Sequence, residues 1–168
     1  PALQDQGVPA QKAATAISIF GIAVIAGRLI VGYLVDKLWA PGVAAVAISL
    51  PVIGSLLLVG APGFFIACVA AAFLGFAAGA ELDLMAFLAA KYFGLLHYAK
   101  IYAVLYAALA LASGVAPMIF ATIFDITGSY NIGFLFGAGF FAIGALMILA
   151  LGKYPDIATE TDKGKTNP

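Results

Sequence analysis

Charge is what this sequence has least of. Asp, Glu, Lys and Arg make up only 10% of its 168 residues, eight of each sign, so the net charge is zero. A soluble domain carries about 25% charged residues, which excludes an ordinary soluble domain. With no net positive field there is nothing to attract an anionic polymer, and no nucleic-acid partner is expected. Cysteine is nearly absent too: a lone Cys68 excludes an internal disulfide and any Cys-based metal cluster. His97 is the only histidine and has no second metal ligand placed near it. There is no G-x-S-x-G, no H-E-x-x-H and no Walker loop. Neither an enzyme nor a bound cofactor or metal is expected. What remains is a chain that is 64% hydrophobic, and its natural solvent is a lipid bilayer.

The charges are missing in blocks. Residues 38–80, 101–124 and 126–152 contain none. A spanning helix needs roughly 20 apolar residues. The first block is too long for one span, and Ala61-Pro62-Gly63 divides it at a turn. Two further stretches are interrupted only by Arg28, and by Glu81 with Asp83. The chain therefore reads as all-α, with five transmembrane helices at about 12–36, 41–60, 63–91, 98–124 and 131–152, followed by a polar tail, 153–168. Helices satisfy every backbone group internally in hydrocarbon, and the runs lack the alternation of a barrel strand. Lys37, Lys91, Lys100, Lys153, Lys163 and Lys165 fall on one side and Lys12 on the other. The positive-inside rule then makes the tail cytoplasmic and the start of the chain external. Pro1–Ala10 reads as a loop inside a longer chain, not a natural start.

Three charges sit inside predicted spans, where each costs at least ~2.5 kcal/mol on insertion scales. Arg28 lies eight residues before Asp36, and Asp83 eight before Lys91, which places both ~12 Å deep at about 1.5 Å per residue. Ser18, Gly21, Arg28, Gly32 and Asp36 share one stripe, with only Ile25 intruding, and that stripe should face protein or water. Glu81 and Asp83 are about 160° apart on their helix, so they cannot face the same neighbour. Asp83 shares its face with Gly75-x-x-x-Gly79, a close-packing pattern in membranes. Glu81 shares its face with Leu74, Ala77, Met85 and Leu88. Two readings stand side by side. Either Arg28 binds an anion while Glu81 or Asp83 is a proton site or counter-ion, or an Arg–carboxylate pair merely holds helices together.

The fourth predicted span carries Tyr98, Tyr102, Tyr106, Ser113 and Pro117 on one face. Tyr98 and Tyr102 are read as interface tyrosines. Tyr106 and Ser113 are deep enough to line a polar path and to bind substrate. Gly114 and Pro117 should kink or loosen the helix, as a gate or as plain geometry. His97 is placed in a short loop, Gly94–Tyr98, and Asp125–Tyr130 in a structural connection. The second and fifth spans, without ionisable residues, are expected at the periphery.

Gly32-Tyr33-Leu34-Val35-Asp36-Lys37 resembles the G-x-x-x-D-[RK] half of the loop motif of the major facilitator superfamily. The second half of that motif is absent, replaced by Leu38, Trp39, Ala40 and Pro41. Ala26–Leu29, Gly79–Asp83, Lys91–Gly94 and Phe124–Tyr130 are similar to the oxalate/formate antiporter and monocarboxylate transporter group. The resemblance covers the chain to about Tyr154. It implies that the five spans are transmembrane helices eight to twelve, part of the C-terminal six-helix bundle, with the N-terminal half of the chain missing. It further implies that Arg28 engages a substrate carboxylate, that the span with Glu81 and Asp83 lines the cavity, and that a proton or counter-anion drives alternating access. The expected function is a fragment of a secondary transporter for small organic anions, in particular monocarboxylates, in the cell membrane. The competing readings are a transporter of another substrate class, or a membrane subunit that assembles without transporting.

Overall fold

The computed structural model describes residues 10–60 and 63–152. The tail from Lys153, the first nine residues, and Ala61 and Pro62 of the predicted turn lie outside the described residues. Four helices follow in order: α1 Ala10–Lys37, α2 Ala40–Leu57, α3 Phe64–Thr127 and α4 Asn131–Leu149. There is no strand among the described residues. All four helices are long and apolar enough to cross a membrane.

α3 has 64 residues. As a straight rod it would measure about 96 Å, some three times the hydrocarbon thickness. It folds back instead. Its backbone leaves helical torsions at Gly94, with φ 71° and ψ 168°, a region glycine alone enters cheaply. Residues on the two sides of Gly94 then meet: Leu88 and Leu105 line one crevice, and Leu74 and Ala112 another. The chain thus contains five membrane-length segments. The expected loop between the third and fourth is a single glycine, and His97 is helical and exposed. A multi-residue loop is unnecessary because one left-handed residue redirects the chain.

Side-chain contacts establish the up-and-down order. Lys12 at the start of α1 lies over the ring of Phe64 at the start of α3, 5.6 Å from its centroid. The Gly60 amide donates to Asn131 Oδ1 at 3.0 Å, tying the end of α2 to the start of α4. At the opposite end the Tyr92 hydroxyl donates to the Gly152 carbonyl at 2.8 Å, tying the Gly94 turn to the end of α4. α1 and the first half of α3 therefore run parallel, with α2 antiparallel to both.

The core is made of small residues. Ala40, Ala44, Ala70 and Ala80 are fully buried, and Ala40, Ala44 and Ala80 form, with Val31, Val35, Ala47 and Leu84, the cluster joining α1, α2 and α3. Lipid supplies no hydrophobic drive between helices, so close van der Waals contact must hold them. Small side chains allow that approach. α2, expected at the periphery, instead touches α1, α3 and α4. Its lack of charge reflects contact with other helices as much as with lipid.

The tightest approach is between α1 and α3. A Cβ built on Gly79 would sit 2.0 Å from the Val24 carbonyl oxygen, one on Gly75 2.4 Å from the Phe20 oxygen, and one on Gly27 2.0 Å from the Phe76 oxygen. These are backbone atoms, which cannot rotate away. Gly79→Ala is expected to lose about 1–3 kcal/mol of stability through overpacking, whereas Gly139→Ala on α4, which meets nothing within 4 Å, should be neutral. Thermal midpoints of the detergent-solubilised variants decide this; equal shifts for the two would show that the crossing is not backbone-limited.

Candidate functional site

The α1–α3 crossing has a constant register. The Phe20 carbonyl meets Gly75, the Val24 carbonyl meets Gly79, and one turn further Arg28 meets Asp83, 55 positions away. Each step advances four residues on both helices, as parallel helices in contact require. Two glycines thus deliver an arginine and a carboxylate to the same level.

The pair is a fork. Arg28 Nε donates to Asp83 Oδ2 at 3.0 Å and Nη2 to Oδ1 at 3.1 Å. Two parallel charge-assisted bonds are the strongest arrangement these groups form. It is the one ion pair among the described residues. It is not sealed in: the side chains are 60% and 33% exposed. Tyr102, on the second half of α3, comes to a similar level along the folded-back chain. Tyr102 lies eight residues past the Gly94 turn and Asp83 eleven before it, so the three groups lie at similar depth.

Glu81 goes elsewhere. It lines an apolar crevice of about 330 Å³ between α2, both halves of α3 and α4, with Ile48, Met85, Leu88, Leu105 and Ile148 around it. Among the described residues, no cation lines that crevice. The ~160° between the two acids is therefore realised as two separate environments, Asp83 facing Arg28 and Glu81 lining the apolar crevice while itself exposed.

The remaining sequence-predicted residues are spread out. Tyr106 and Ser113 are exposed on the second half of α3, on the same stripe as Tyr102. Their neighbour Tyr102, read from sequence as an interface residue, stacks with Tyr98 and Tyr106. α3 stays helical through Gly114 and Pro117, and its torsions depart only at Gly94. The kink expected there does not take the form of a break. Pro117 still lacks the amide that would pair with the Ser113 carbonyl, so that carbonyl is left available on the exposed face. Gly32, Asp36 and Lys37 occupy the last turns of α1. Nothing approaches Gly32 within 4 Å, Asp36 is exposed, and Lys37 bonds the Tyr33 hydroxyl and sits over its ring at 4.3 Å. Lys37 is held on its own helix, where a cation also complements the helix C-terminus. No group of three His, Cys, Asp or Glu side chains suited to a metal occurs among the described residues.

A membrane-embedded Arg–Asp fork at a parallel glycine crossing, followed by a tight helical turn-back, is an architecture that can be compared with known families. The family model of the Major Facilitator Superfamily matches residues 1–167. The chain belongs to the Major Facilitator Superfamily. It is therefore a multi-pass membrane protein of a transporter family. No curated protein and no solved structure matches it. The Gly32–Lys37 stretch lies where α1 turns into α2, with only Leu38 and Trp39 between the helices.

If Arg28 and Asp83 are one unit, their removal should not be additive. Asp83→Ala leaves the arginine without its anion, and Arg28→Ala leaves the carboxylate without its cation. The double substitution should destabilise the protein less than the sum of the two single ones. A thermal-midpoint cycle on the purified protein measures this; strict additivity would show that the fork does not couple the helices.

Proposed function

We propose that this superfamily member carries small organic anions, monocarboxylates in particular, with Arg28 as the group that takes the carboxylate. The chain supplies helices eight to twelve of the transporter, and the N-terminal half closes the other side of the cavity. The observation that carries this reading is the exposure of the Arg28–Asp83 fork. A pair that served only as helix glue needs no access from outside, whereas one that exchanges partners with an incoming anion does. This one is more than half open on the arginine side.

The fork also states the chemistry. Asp83 already occupies Nε and Nη2 of Arg28 in the fork geometry a substrate carboxylate would use. An incoming anion must share or replace Asp83, which leaves Asp83 in need of another partner, a proton being the smallest. Glu81, in its apolar crevice, is the second acid to consider for proton movement. Exchange at a midplane site, coupled to rocking of two bundles, is the alternating-access scheme. The lysines near the Gly94 turn, Lys91 and Lys100, with Lys37, would face the cytoplasm.

Two measurements bear on this. Arg28→Lys in the full-length protein keeps the charge but loses the fork. Uptake of labelled monocarboxylates into proteoliposomes should fall at least tenfold in kcat/KM, about 1.4 kcal/mol. Near-normal uptake removes Arg28 from the substrate site. Separately, Asp83→Asn and Glu81→Gln should each be assayed across pH 5–8. The acid that carries the coupling proton is the one whose amide flattens the pH profile, and unchanged profiles for both would reduce the two acids to packing residues.

A further inference from the structure

We propose that the crevice lined by Glu81 binds a slim lipophilic monocation, with its charge beside the carboxylate and its apolar body between α2, α3 and α4. This site is separate from the Arg28–Asp83 fork and does not depend on Arg28 taking an anion.

The crevice has a volume of about 330 Å³, at the lower end of small-molecule sites, which run from roughly 300 to 1,000 Å³. Its walls come from four directions: Ile48 of α2, Met85 and Leu88 of the first half of α3, Leu105 of its second half, and Ile148 of α4. Glu81 and Tyr92 are the oxygen-bearing side chains in the lining. Tyr92 stands at the far end, eleven residues along α3, about 16 Å away by helical rise. Its hydroxyl donates to the Gly152 carbonyl. Glu81 lies ten residues before Lys91, which places it about 15 Å deep, half of a hydrocarbon layer of roughly 30 Å. Its side chain is exposed, so a ligand can reach the carboxylate.

Among the described residues, no cation of the chain answers this acid. Arg28 is held by Asp83 in the one ion pair, on another face of the helix. Lys91 sits 5.5 Å over the ring of Phe87, and Lys12 and Lys37 lie over Phe64 and Tyr33. Lys100 is not in the lining, and every side chain that α2, the second half of α3 and α4 contribute to it is apolar. An ionised carboxylate at the middle of a span is costly while it lacks a counter-charge. A diffusible cation supplies the one the chain does not.

The lining also selects the kind of cation. Calcium and magnesium need about six or more oxygen ligands, and the crevice offers a single carboxylate at this level. A primary ammonium brings several N–H donors, and those left unpaired against apolar walls cost free energy. A quaternary or pyridinium cation carries no donor, and its carbon body gains by contact with Met85, Leu88 and Leu105. Lipid headgroup amines stay at the interface, so the occupant is a free small molecule that tolerates hydrocarbon.

N-benzylpyridinium and diphenylmethane have the same shape and the same number of heavy atoms, and only the first is charged. Labelled N-benzylpyridinium is titrated against the purified full-length protein in lipid nanodiscs, with empty discs subtracted. Binding should saturate, and diphenylmethane should displace the label at least about tenfold more weakly, because it leaves the carboxylate unpaired. That comparison uses the unaltered protein and needs no variant to fold. Glu81→Gln should weaken binding at least about tenfold, whereas Glu81→Asp, which keeps the charge, should retain most of it. No saturable binding above empty discs, the result expected if Glu81 takes only a proton, would overturn the proposal. Equal displacement by diphenylmethane, or undiminished binding in Glu81→Gln, would overturn it as well.

Discussion

Everything of interest here depends on two helices touching backbone to backbone. α1 meets α3 through Gly75 and Gly79 on one side and Gly27 on the other, with virtual Cβ positions 2.0–2.4 Å from carbonyl oxygens. No residue with a side chain fits there without moving a helix. The parallel register that results steps by four residues and ends on Arg28 and Asp83. The ion pair is the third contact in a series whose first two are glycines. Removing the glycines would separate the helices and, with them, the two halves of the fork.

That arrangement resolves a conflict built into the composition. A charge in a bilayer is expensive, and a structure held only by small apolar residues has little else to specify which helix pairs with which. The fork meets both needs, since each charge compensates the other and the bidentate geometry admits one register. Its exposure leaves it able to do more than fasten, because a partner that competes for the guanidinium has a path to it. Glu81, two residues from Asp83, is kept out of this contest by helical geometry and sits in an apolar crevice of its own.

Much of this was legible in advance. The charge-free blocks mark the spans, because hydrocarbon penalises every ion within them. The angle between Glu81 and Asp83, and the shared face of Gly75, Gly79 and Asp83, follow from 100° per residue and appear in the structure as drawn. Other features were not legible. Gly94 looks in sequence like one residue of a loop, yet it is the whole turn, because nothing in a residue type states that its neighbours remain helical on both sides. α2 looks peripheral because it lacks charge, but its fully buried alanines place it in contact with every other helix.

The sequence by itself determined the solvent and the class of fold, because the cost of placing ions and unpaired backbone groups in lipid is set residue by residue. Membership of the superfamily, carried by the match over residues 1–167, follows from that same pattern read along the chain. Only the tertiary structure decided which acid answers Arg28 and which stands apart. Those choices depend on how closely two helices approach and in which register, and a one-dimensional pattern names the faces but not the partners they meet.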